Sequence, residues 1–361
     1  GFEFLPGMQK KQDREMLKIP QQMSLAEGFS LSRDEQTYCI FKEIISGLQF
    51  IRHNQAIWES GLYVELTAYQ YQVFIDFSEL KDNEFHHYAE LCSSLAGRGV
   101  PDLNDALIDI ILKPVQQSFS NVYNSRIIQY IVEHKGPSGR GVEPAFLDDI
   151  EKKAFQFFQS VEQFLGSRGD GSIVIEETAA KELHPLLEAA LLQSTDPDKA
   201  LSGASAKKLH WHIIYCWIIL STLIKAIKPG YDFDQRLIDD LRLEWVIRPV
   251  WHNLGLNAEK SAGHLLLLKI LLQFRGWLFS PAPRLQEILE TQEAKQYLQV
   301  NRYKSILWFN KEAFETLLFC FYFLRKDIIS SVRKWIRMAK KVNYRFEKLM
   351  ELIMFFSECH R

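Results

Sequence analysis

The chain has 361 residues, 47% of them hydrophobic, 24% charged and 13% aromatic, with a formal net charge of −2. That length implies roughly two or three domains, and the composition is that of a chain burying a real core, which excludes a disordered one. A charge so close to zero sets up no global field toward nucleic acid or an anionic membrane, so neither is an expected partner.

The five cysteines, Cys39, Cys92, Cys216, Cys320 and Cys359, are odd in number and form no CxxC pair. A disulfide framework and a zinc ribbon are therefore not expected, and a reducing, cytoplasmic location is. Residues 1–20 lack the basic region and apolar run of a signal peptide. Without an initiator Met, the chain reads as a fragment or a processed product.

In chain order, residues 1–24 read as a loosely held arm. Residues 38–45 and 62–66 are rich in β-branched and aromatic side chains and are predicted strands. Tyr69, Tyr71, Val73, Ile75 and Phe77 alternate with Gln70, Gln72 and Asp76, a period-two strand with one polar face, broken only by Phe74. These strands imply a small antiparallel sheet over residues 1–80, followed by a helical domain over 81–361.

Beyond Asp76 the apolar spacing changes to 3.6. A helix over 85–95 ends at Gly97-Arg98-Gly99-Val100-Pro101, and Asp102 is placed to cap the next. Leu103, Leu107, Ile110 and Ile111 make one face of that helix, which Pro114 is expected to break. Helices over 119–134 and 145–165 flank the connector 136–141. Residues 194–206, small and polar, are a candidate linker dividing the helical domain. Further helices are predicted over 207–227, 234–254 (ended or kinked at Pro249), 258–279, 284–289, 311–324 and 326–356. The apolar runs 213–220, 265–272 and 317–324 fall far short of the ~20 residues that cross a bilayer, so they are expected as buried helices and no membrane span is expected.

The chemistry-bearing residues are sparse. No GxSxG is present, and the glycine stretches 136–141 and 166–171 lack a P-loop ending. Cys216 lies within an apolar run and reads as a small core residue. His210 and His212 stand two apart on a predicted helix and should face different ways, and His86 and His87 are adjacent, so no metal and no cofactor is expected. The last predicted helix is basic, with Arg333, Lys334, Arg337, Lys340 and Lys341 among its cations, along an apolar stripe including Val332, Trp335 and Ile336. It suits a solvated outer face, or docking onto an acidic partner or a membrane surface. The segment 301–315 is more specific. Asn310 should cap the following helix and Glu312 suits the positive helix start. Arg302, Tyr303, Trp308, Asn310, Lys311 and Glu312 together form a candidate carbohydrate or interface contact set, because polar groups beside exposed rings suit both.

Three stretches carry a resemblance. Residues 61–77 resemble the closing strands of the domain that follows an α-amylase-type barrel. Gly97-Arg98-Gly99-Val100-Pro101, with Leu112-Lys113-Pro114-Val115, looks like what comes next in certain large bacterial glycoside hydrolases. Residues 300–315, with the core Leu307-Trp308-Phe309-Asn310-Lys311-Glu312-Ala313-Phe314, are similar to their C-terminal helical region. The likeness covers residues 24–115 and 231–324. It implies an accessory, non-catalytic portion of an α-glucan-active glycosidase, with the parent's catalytic barrel and an α-glucan as partners. The paired carboxylates of that chemistry have no counterpart here, and residues before Asp76 leave no room for eight β/α units. No catalytic residue is carried over. The alternative is a free-standing helical protein–protein interaction module.

Overall fold

The computed structural model describes residues 2–4, 21–134, 142–167, 175, 177–191, 210–227, 236–278, 285–325 and 328–358. It is mainly α-helical with a small antiparallel sheet near the N-terminus, as the residue patterns implied. The chain divides into two units, Gly1–Lys113 and Pro114–Arg361. The candidate linker 194–206 and the connector 136–141 lie outside the described residues.

In the first unit, β1 (Phe2–Phe4) pairs antiparallel with β2 (Gln21–Met23). Ser24 and Glu27 then form a reciprocal capping box that opens α1 (Leu25–Gly28). The main sheet consists of β3 (Thr37–Glu43), β4 (Gln49–His53) and β5 (Phe74–Lys81), in the order β4-β3-β5 and antiparallel throughout, with α2 (Asn54–Ser60) following β4. Because strand side chains alternate between faces, central β3 serves two cores. Tyr38 joins Ile51 with Leu91 and Leu95 of α3 (His87–Leu95) and Leu103 and Ile110 of α4 (Leu103–Val122). Cys39 and Phe41 join Ala26, Leu31 and Ile57 on the other face.

The Gly97–Pro101 motif has a structural role here. Gln49 and Val100 exchange backbone hydrogen bonds of 2.7 and 2.9 Å. That approach requires Gly99, since a Cβ there would meet the Phe50 ring at 2.6 Å. Asp102 caps α4 as expected, accepting from the Asn104 amide at 2.8 Å.

Three expectations are corrected in this unit. Residues 62–66 form no ladder, and Tyr69 takes a positive φ of 66°, so the predicted strand over 69–77 begins only at Phe74. Tyr63, Tyr69 and Tyr71 are exposed: alternation records side-chain chemistry, but a ladder needs a partner strand. Within this unit α3 and the start of α4 complete the sheet's core. Finally, α4 runs through Pro114 instead of breaking there. Proline removes one backbone bond, and the buried Leu112, Val115, Phe119 and Val122 hold the helix on both sides of it.

The second unit contains α5 (Ser125–His134), α6 (Pro144–Ser167), α7 (Glu177–Lys181), α8 (Leu183–Leu191) and α9 (Trp211–Ala226). Then come α10 (Leu237–Asp240), α11 (Glu244–Asn253), α12 (Ala258–Gln273), α13 (Arg275–Leu278), α14 (Leu285–Glu290) and α15 (Gln292–Tyr297). The hairpin β6 (Asn301–Tyr303) and β7 (Ile306–Trp308) precedes α16 (Lys311–Leu324), α17 (Ile329–Lys341) and α18 (Phe346–Glu358). Helix α9 is the axis: every residue from Trp211 to Ile224 is buried, against α5, α7, α8 and α12. Its all-round apolarity is that of a central core helix, and among the described residues no helix is long and apolar enough to cross a membrane.

Helix boundaries also differ from expectation. Pro249 sits inside α11, and the interruption falls earlier, at Arg242 with φ 49°. The helix predicted over 326–356 is two, because Asn343 and Tyr344 take positive φ of 51° and 57°. Tertiary packing offsets that cost: the Tyr344 carbonyl accepts from the Phe309 amide at 3.2 Å, and the Phe309 ring meets Phe314, Tyr344 and Phe346.

Candidate metal centre

The contact set inferred from residues 301–315 falls on the hairpin and the start of α16. Lys304 and Ser305, both at positive φ, make its two-residue turn, placing Asn301 opposite Trp308 and Arg302 opposite Leu307. Tyr303 is 61% exposed, with the Lys304 ammonium 5.4 Å from its ring centre. Trp308 is half-buried under the Arg345 guanidinium, 5.6 Å from the ring. Asn310 caps α16, accepting from the Ala313 amide at 3.0 Å and donating to Gln299 at 2.9 Å. Lys311 lies over Tyr344, and Glu312 is an exposed acid of the first turn. Trp308, Asn310 and Lys311 are thus engaged within the fold, while Arg302, Tyr303 and Glu312 are exposed.

A second constellation forms where none was expected. His210 is the cap of α9, at φ −79° and ψ 74°, and so lies outside the helix that carries His212. The opposed orientation that two helical positions would have does not apply, and the two ring centres stand 5.5 Å apart. His264, on α12, closes the group. Its Nδ1 lies 2.9 Å from His212 Nε2, and its ring centre 4.4 Å from that of His210. One ligand nitrogen from each of the three rings lies within 4.8 Å of the others.

The surroundings of His212 hold the group in place. Its ring packs edge-on to Trp251 at 5.3 Å. Its main-chain carbonyl accepts from the Tyr123 hydroxyl at 2.8 Å, and that oxygen accepts in turn from Trp251 Nε1 at 2.6 Å. Tyr123 and Trp251 are fully buried. Burial, then the neighbouring His264 and His210, hold the His212 pKa down at about 2. Burial, then His210 and Lys260, hold His264 at about 3, and burial lowers His210. All three rings are neutral at physiological pH, the state in which imidazole ligates a metal.

This donor set is selective. Three imidazoles without a carboxylate suit Zn²⁺ and its borderline neighbours Co²⁺, Ni²⁺ and Cu²⁺, and are poor for Ca²⁺ or Mg²⁺, which take oxygen. Zn–N bonds of ~2.0–2.1 Å in a tetrahedron space their nitrogens by ~3.3 Å. The His212–His264 pair at 2.9 Å would open by about 0.4 Å to admit the ion. Half-exposed His210 and His264 leave a solvent-side approach, whereas His212 is buried.

Comparisons of the chain with protein-family models, with curated proteins and with solved structures find no match in any of the three.

Proposed function

We propose that this chain binds one divalent transition-metal ion of the zinc class through His210, His212 and His264, linking the start of α9 to α12. The observation that carries this reading is the convergence of three ring nitrogens within 4.8 Å in a site whose walls are buried. A bound ion replaces the proton shared between His212 and His264, which moves to another nitrogen of its ring. The test is Co²⁺ titration of the chelator-stripped chain. The expected result is one ion per chain with the intense visible absorption of tetrahedral Co²⁺, displaced by Zn²⁺. His210→Asn, at the half-exposed cap, should weaken binding at least about 10-fold with the helical spectrum intact. Absence of saturable binding, or unchanged affinity in His210→Asn and His264→Gln, would overturn the reading.

A second reading rests on the hairpin: an accessory portion of an α-amylase-like glycosidase, presenting Tyr303 to an α-glucan or to the parent's barrel. Its support is a 61% exposed ring at a turn, beside Arg302 and Lys304, since such a ring can stack on a sugar or a partner surface. Calorimetric titration with maltoheptaose tests it, and Tyr303→Ala is the informative variant because Trp308 is packed under Arg345. Absence of heat, or equal heat from the variant, removes the glucan form of this reading.

A further inference from the structure

The C-terminal half of α9 carries a second recess. Trp217, Ser221 and Lys225 recur every fourth residue, with Thr222 beside Ser221, so one face of the helix supplies a wall. Leu186 of α8 and Arg275 of α13 share in lining a cavity of about 510 Å³. Protein interiors hold few voids larger than a water molecule, whereas this volume lies within the range of small-molecule sites, ~300–1,000 Å³. Trp217, Ser221 and Thr222 are buried and form the floor. Leu186 and the side chains of Lys225 and Glu182 are exposed and form the mouth. The Trp217 Nε1 donates to the Leu271 carbonyl at 2.9 Å, which fixes the ring and leaves it only apolar surface to offer.

The charged groups of this lining are already answered within the protein. The Lys225 ammonium lies 2.7 Å from the Glu182 carboxylate, and Arg275 has an interaction of its own. A charged ligand would lose its hydration against the Trp217 floor and would have to displace an existing partner to recover it. A neutral ligand meets neither cost. The two buried hydroxyls set its polar group. Thr222 Oγ1 donates to the Ile218 carbonyl at 2.8 Å, and Ser221 Oγ donates to the same carbonyl at 3.1 Å. Their protons are turned into the helix, and among the described residues no donor reaches either oxygen. Each therefore offers lone pairs to a donor, and the fixed indole favours a planar ring. We infer that this cavity binds a small neutral aromatic molecule bearing one hydroxyl, its ring against Trp217 and Leu186 and its proton donated to the Thr222 or Ser221 oxygen.

The test uses the whole chain and three probes, titrated calorimetrically. 2-Naphthol carries the ring and the donor, its methyl ether carries the ring without the donor, and 2-naphthoate carries the ring with a negative charge. The expected result is saturable binding of 2-naphthol at least about 5-fold tighter than of the ether. Naphthoate should bind more weakly than either, and the naphthol affinity should be insensitive to salt. Ser221→Ala/Thr222→Val should bring naphthol down to the affinity of the ether and leave the ether unchanged. Both substitutions keep the regular helix bond to the Ile218 carbonyl, so circular dichroism should report an unchanged fold. Leu186→Ala, at the exposed mouth, should weaken both neutral probes alike. Absence of saturable naphthol binding, equal affinity for naphthol and ether, tighter binding of naphthoate, or a naphthol preference that survives the double variant would each overturn the inference. The metal reading is untouched by any of these results, since no histidine is among the described residues lining this cavity.

Discussion

Tyr123→Phe is the most informative single substitution in the second unit. The Tyr123 hydroxyl donates to the His212 carbonyl and accepts from Trp251 Nε1, and both rings are fully buried. Phenylalanine keeps the stacking on Phe119 at 5.3 Å and removes only the oxygen. The His212 carbonyl retains its regular helical partner, so the loss there is one hydrogen bond, about 0.5–1.5 kcal/mol. The indole N–H has no second acceptor within this network, and a buried donor left unsatisfied costs about 1–3 kcal/mol. Together these predict a destabilisation of roughly 2–4 kcal/mol. With urea m-values of about 1–3 kcal/mol/M, the midpoint followed by tryptophan fluorescence should fall by roughly 1–2 M. Trp251→Phe removes the same bond from the other side, so the double variant should cost less than the sum of the singles. A midpoint within about 0.3 M of the parent, or strict additivity, would refute the claim that this hydroxyl joins the two.

The remaining predictions concern pH and close packing. His212 and His264 are held near 2 and 3 in the fold against an ordinary 6.5. Below pH 6.5 the unfolded chain takes up protons that the folded one refuses, so the metal-free protein should lose stability as pH falls from 6.5 toward 3. Urea midpoints measured across that range should decline less in His264→Gln. Glu43 accepts from the Ser46 hydroxyl and amide, both at 2.6 Å, and from the Ile45 amide at 2.9 Å, which hold its pKa at about 2 against an ordinary 4.5. The stability it contributes is present above 4.5 and lost as pH falls toward 2, so Glu43→Gln should flatten that part of the profile of the first unit. Gly99→Ala should cost about 1–3 kcal/mol by forcing the Val100 segment off the Phe50 ring, read as a lower thermal midpoint. An unchanged midpoint would mean the segment yields freely.

Much of the fold was legible because local rules and tertiary packing agree. Asn310 before α16 and Asp102 before α4 act as caps because their short oxygens reach free amides within three residues, a purely local requirement. The apolar run within α9 is buried as expected, since a helix without a polar face has to be enclosed. Local signals failed where packing decided. Pro114 and Pro249 sit inside helices held by buried neighbours, and Asn343 and Tyr344 reverse the chain so that Phe309 and Phe346 can meet.

The three-histidine centre shows the same division most sharply. Sequence alone determined that His210 and His212 lie near the start of an apolar helix, and that a mainly helical region follows a small sheet along the chain. Tertiary structure alone decided that His210 caps that helix from outside, and that His264, 52 residues after His212, faces it from α12. The reason is physical. Each helical residue turns the side chain by about 100°, so a one-residue change in where a helix begins re-aims the first ring. The partner for that ring is chosen by which helices pack together, and a periodic apolar pattern records that a face is buried without recording against what.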